Sequence, residues 1–142
     1  MPSDQPQQSF ELSRIRWVGP LTVSASVGAV LLIRMVAVAI LHPAATFEPL
    51  TLFPPIFDTV LGVAGAVFVF LQIGRYSLQP IHTYRKVALG VLLVSFAPDV
   101  ALAAEHWLGF GWPEAFALMS MHVAVWAICV TMLPGLVVTK NY

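Results

Sequence analysis

Four ionisable side chains interrupt apolar stretches of this chain: Arg34 in LLIRMVAV, Asp58 in PPIFDTVLG, Asp99 in FAPDVALAA and His122 in LMSMHVAVW. A guanidinium carries five donors in a rigid fork and can bind a carboxylate through two parallel hydrogen bonds, so Arg34 between Asp58 and Asp99 would make a self-neutralising cluster. Histidine gains and loses a proton near neutral pH, so His122 in such a cluster could mark a proton or small-molecule path. Covalent and metal chemistry have less support. There is no serine or cysteine nucleophile motif, and His42, Glu48, Glu105, His106 and His122 lack ligand spacing such as two histidines at i and i+4. Haem held between His106 and His122 is conceivable, although the bulk of Trp126 argues against the room it needs. No catalytic residue, metal ligand or cofactor is assigned.

The elements that must position these groups follow from composition. Of 142 residues, 58% are hydrophobic and 10% charged, far from the quarter or so charged in a soluble domain. The apolar residues fall into four stretches, each near the ~20 residues that cross ~30 Å of hydrocarbon as a helix. We therefore predict an all-α integral membrane bundle of four transmembrane helices, about 17–41, 55–74, 80–104 and 113–138, forming one domain over 14–142. Residues 1–13 read as a disordered tail. A cleaved signal peptide is excluded for helix 1, because its apolar run is too long and its tip carries Asp4 and Glu11 beside Arg14 and Arg16. The single cysteine, Cys129, rules out an internal disulfide, and the balance of seven basic and seven acidic residues offers nothing to nucleic acid.

Apart from Arg34, every Lys and Arg lies at 14–16, 75–86 or 140, and the loops 42–54 and 105–114 have none. Positive residues stay inside, so both termini are expected in the cytoplasm and the protein in the inner (plasma) membrane. Trp17, Tyr76, Tyr84, Trp107, Trp112 and Tyr142 lie near the predicted boundaries, where interfacial aromatics belong. At the helical rise, Arg34 and His122 lie about 10 Å below the outer boundary, Asp99 about 8 Å and Asp58 about 5 Å. One ionisable residue per helix thus falls in one outer slab. An unpaired charge there costs at least ~2.5–3.5 kcal/mol, so convergence into a buried Arg34/Asp58/Asp99/His122 cluster is expected, with Arg34–Asp99 the closest pair. Asp58 could instead interact with the free N–H groups of its own helix start. Ser95, Glu105 and His106 are supporting polar residues, and Pro98 breaks the ladder beside Asp99. Ser24, Gly28, Gly62 and Gly65 are candidates for close helix packing. The proline-rich loop HPAATFEPLTLFPP either connects helices 1 and 2 or caps an outward cavity.

The segments FEPLTLFPP running into TVLGVAGAVFVF, then YRKVALGVLLVSFAPDVAL, then LMSMHVAVW, resemble a family of small bacterial membrane proteins catalogued as domain of unknown function 6069, over most of residues 20–135. That resemblance implies a four-helix membrane domain, with Arg34, Pro98–Asp99 and His122 as the positions it singles out, and it implies no biochemical role. Three function classes remain. The first is a structural or accessory membrane protein whose cluster specifies one bundle arrangement. The second is an outward-facing module for small-ligand binding or proton-linked translocation, a full pathway requiring a homo-oligomer. The third is a haem- or metal-binding membrane enzyme. The lipid bilayer is the one partner the composition requires.

Overall fold

In the computed structural model the described residues are 8–43, 48–106 and 110–140. Four long helices carry the chain: α1 (Ile15–Leu41), α2 (Phe53–Tyr76), α3 (Pro80–Ala104) and α4 (Trp112–Val137). All four are long and apolar enough to cross a membrane. Their boundaries follow from local chemistry. Helices α2, α3 and α4 each begin with proline in the first two positions, where a missing N–H has no helical partner to lose. Helix α1 stops at His42, whose left-handed backbone (φ 47°) turns the chain while its N–H bonds Val38 O at 3.1 Å, immediately before Pro43. At the start of α4 the Glu114 carboxylate accepts the Gly111 N–H at 3.0 Å, the glutamate half of a capping box.

The bundle has a loop end, with residues 48–52, 105–106 and 110–111, and a terminal end, with residues 8–14 and 138–140 and the short 77–79 turn. Helix α1 packs on α4 and α2, α3 packs on α4, and the α2–α3 seam is the loosest of the ring. Toward the terminal end the core is built from Val18, Val63, Phe70, Tyr84, Leu133 and Val137. At the loop end, Leu50 from the connecting segment docks between Val30 and Met121, and Phe110 docks against Ala103 and Ala115. Both interhelical segments at this end are therefore pinned by a buried side chain. Elsewhere the helices turn bare apolar surface outward, as at Leu32, Met35, Ile40, Leu61, Phe68 and Val94.

Three expectations need correction. Of the tail expected to be disordered over 1–13, residues 1–7 lie outside the described residues, while residues from 8 on carry regular structure: β1 (Gln8–Phe10) pairs antiparallel with β2 (Val138–Lys140), Gln8 opposite Lys140. A single 3-10 turn at Leu12–Arg14 then leads into α1. The ribbon is held by the Glu11 N–H on Val137 O (3.2 Å) and by Arg14, which pairs with Glu11 and reaches Leu136 O at 3.4 Å. Backbone pairing with the end of α4 supplies order that polar side chains alone do not. Second, Ser24 and Gly28 do not make the close contact of α1; both are exposed, and the buried stripe is Val18, Thr22, Ser26 and Val30. Thr22 folds its hydroxyl back onto Val18 O (2.8 Å), so it packs as a small apolar residue. Third, Tyr84 is not interfacial but 1% exposed, stacked edge-on against Phe70 with ring centroids 5.0 Å apart. Trp17, Tyr76 and Trp112 are exposed as expected, while Trp107 and Tyr142 lie outside the described residues.

Candidate functional site

The four predicted groups do not form one cluster. Arg34, on α1 one helical turn past Val30, points its guanidinium into the loop end, where Nε–H donates to Leu50 O at 2.8 Å and Thr51 O at 3.3 Å. The ion pairs among the described residues are Arg14–Glu11 and Asp99–His122, so the expected Arg34–Asp99 pair is not formed. Two main-chain carbonyls do the work assigned to a carboxylate. The guanidinium fastens the connecting segment whose Leu50 plugs the gap between α1 and α4.

Asp99 and His122 do meet. Asp99, buried on α3, brings Oδ2 to 3.4 Å from Nε2 of His122 on α4. The contact is close but not aligned, and Oδ2 is left without a hydrogen bond among the described residues. Phe96, one turn earlier on α3, lies against the histidine ring at 6.4 Å between centroids. Pro98 sits beside Asp99 within a continuous α3. Ser95 turns its hydroxyl onto Leu92 O (2.7 Å) rather than toward Asp99. Glu105 and His106 are exposed at the end of α3, where His106 adopts a left-handed backbone (φ 49°) that ends the helix. Among the described residues no three of His, Cys, Asp and Glu gather as a metal site would require.

Asp58 occupies a different setting. It is exposed on α2, five residues past the helix start, and among the described residues its carboxylate has no cation and no hydrogen-bond donor. It lines a cavity of about 690 Å³ between α2, α3 and α4 that also receives His122 and Ser95. The walls are apolar, with Ala66 and Val69 on α2, Ala88 and Leu92 on α3, and Met121 and Val125 on α4. Pro49 of the connecting segment and Pro54 and Pro55 of α2 line it at the loop end. Its exposed lining residues, Asp58, Gly62 and Gly65 on α2 and Val87 and Val91 on α3, place the opening along the α2–α3 seam. The glycines thus serve another purpose than close packing: a Cβ at Gly62 or Gly65 would meet nothing within 4 Å.

Toward the terminal end the cavity reaches Tyr84, Trp126 and Cys129. The Tyr84 hydroxyl and the Trp126 indole N–H are buried and have no hydrogen-bond partner among the described residues. A buried donor left unmade costs about 1–3 kcal/mol, and both of these atoms are closed off from the cavity as well as from the surroundings. Sequence reasoning missed both. Each reads as an ordinary membrane aromatic, and no signal in the chain separates one that faces lipid from one that is packed between helices.

No protein-family model, no curated protein and no solved structure matches this chain.

Proposed function

We propose that this is a multi-pass protein of the plasma membrane, with both termini in the cytoplasm, that reversibly binds a small lipophilic molecule taken up from the bilayer between α2 and α3. The carrying observation is the cavity. At about 690 Å³ it lies within the ~300–1,000 Å³ typical of small-molecule sites, mostly apolar with few polar groups, as such sites are. Orientation rests on the distribution of Lys and Arg, which keeps Arg14, Arg16, Arg75, Arg85, Lys86 and Lys140 at one end. With the loop end then outermost, the seam opens sideways toward acyl chains and the prolines roof it from the exterior. An apolar molecule dissolved in the bilayer reaches such a site without crossing water.

A second, compatible role is supported by Asp99–His122, a polar pair joining α3 to α4 that favours one register between uniformly apolar helices. Ligand binding is tested by melting the purified full-length protein in maltoside detergent with increasing dodecanol. A saturable rise in melting temperature is expected, and it should vanish in Gly62→Leu, which fills the slot where the backbone has space to spare. A rise of equal size in both proteins would overturn the reading.

A further inference from the structure

The face of α2 that lines the cavity at Gly62, Gly65 and Val69 continues one and two helical turns further on, at Gln72 and Tyr76. There the seam changes character. Gln72 and Tyr76, with Ser77 and Gln79 of the turn and Thr83 of α3, line a second, open depression at the terminal end of the same two helices. Its polar groups are amides and hydroxyls, with the Ser77 and Thr83 oxygens 3.0 Å apart and Ser77 Oγ accepting the Gln79 N–H at 3.2 Å. Charge at this end has one sign. The chain has no acidic residue between Asp58 and Asp99, while Arg75 in the last turn of α2 and Arg85 and Lys86 in the second turn of α3 are all exposed. None of the three is ion-paired among the described residues, and the one described carboxylate toward this end, Glu11, is taken by Arg14. Topology accounts for basic residues at this end. It does not account for a polar depression between them in line with an apolar groove.

We infer that the α2–α3 seam holds an anionic membrane lipid, its phosphate headgroup among Arg75, Arg85 and Lys86 and one acyl chain lying along α2 toward Gly62. The inference rests on the ligand-binding reading and names the ligand. Length supports it. One leaflet is half of the ~30 Å hydrocarbon core, about 15 Å, and Gln72 to Gly62 is ten residues, about 15 Å at the helical rise. At Gly62 and Gly65 a Cβ would meet nothing within 4 Å, so the chain has room beside the bare backbone. Asp58 stands a further turn away, beyond the chain's end. Charge complementarity selects the head. A phosphate gains cations that the described residues leave unpaired, each worth about fivefold in binding near a membrane surface. A zwitterionic head gains less, because its own ammonium group stands among the same cations.

Three probes separate the possibilities: phosphatidylglycerol, phosphatidylcholine with the same acyl chains, and inorganic phosphate. Each is titrated against the full-length protein in maltoside detergent, with melting temperature as the readout. Phosphatidylglycerol is expected to bind about tenfold more tightly than phosphatidylcholine, and phosphate alone to give no rise. Added salt should shrink the preference for the anionic lipid in the unaltered protein, a test that needs no variant. Arg75→Gln and Lys86→Gln, made singly so that the remaining cations keep the orientation, should each weaken phosphatidylglycerol about fivefold and leave phosphatidylcholine unchanged. Gly62→Leu obstructs the chain and not the head, so it should weaken both lipids alike. Equal affinity for the two lipids, or a preference indifferent to salt and to both Gln variants, overturns the inference. So does a preference that survives Gly62→Leu at full affinity, which is adsorption to a basic surface, and so does a rise with phosphate alone, which is a soluble-anion site. If the response to dodecanol is still lost in Gly62→Leu under any of these outcomes, the ligand-binding reading stands without this lipid. If neither dodecanol nor either lipid raises the melting temperature, both readings fail.

Discussion

Replacing Arg34 with methionine separates the arrangement seen here from the ion pair that its sequence context suggests. The guanidinium Nε–H is shared by Leu50 O at 2.8 Å and Thr51 O at 3.3 Å. A hydrogen bond to a charged group contributes about 1.5–3 kcal/mol, and the partly buried carbonyls left behind gain no new donor from a thioether. The expense of holding a guanidinium at this depth falls on α1 whether or not the loop has docked, so it largely cancels in the docking equilibrium. Undocking of 48–52 should therefore become about tenfold to a hundredfold more frequent, at 1.4 kcal/mol per factor of ten. Amide hydrogen exchange over that segment, measured in detergent, reads this directly, with the helix interiors as internal control. The companion test is a double-mutant cycle with Asp99→Asn. Without contact between Arg34 and Asp99, the two stability changes should add to within about 0.5 kcal/mol. A coupling above about 1.5 kcal/mol, or unchanged exchange at 48–52 in Arg34→Met, would show that the arginine serves a carboxylate rather than the loop.

Gly62→Ala should raise the melting temperature, since alanine is favoured over glycine in a helix by about 0.5–1 kcal/mol and the added methyl meets nothing within 4 Å; a fall would mean the cavity closes in solution. Glu114→Ala should destabilise the start of α4 by about 1 kcal/mol through loss of the bond to the Gly111 N–H, read as faster exchange over 111–115. Deleting residues 1–11 removes β1 and the Glu11 N–H on Val137 O, so exchange at 136–140 should rise while the loop end is unaffected; protection that persists would assign the order of this segment to α4 itself.

What could be read from the chain was whatever depends on one element at a time. The four helices, the prolines that open α2, α3 and α4, and the halt of α1 at His42–Pro43 all follow from apolar length and backbone sterics. For the proline-rich connection the chain left a plain connector and a cap on a cavity both open, and the burial of Leu50 against Val30 and Met121 came only with the tertiary structure. Rotation about each helix axis was not legible. Helices that are apolar on every side carry little periodic signal, so Ser24 and Gly28 looked as suited to packing as Thr22 and Ser26, and contact with α4 chose the latter pair. The partner of Arg34 was hidden for a different reason: a main-chain carbonyl is present at every residue, and only the path of the loop decides which one arrives. Asp99 and His122 were recognised as polar landmarks, yet their meeting, and the isolation of Asp58, depended on how α3 and α4 turn toward each other. The cavity lies furthest from the sequence. A void is the volume that side chains on three helices fail to fill, and it exists only after those helices have been set against one another.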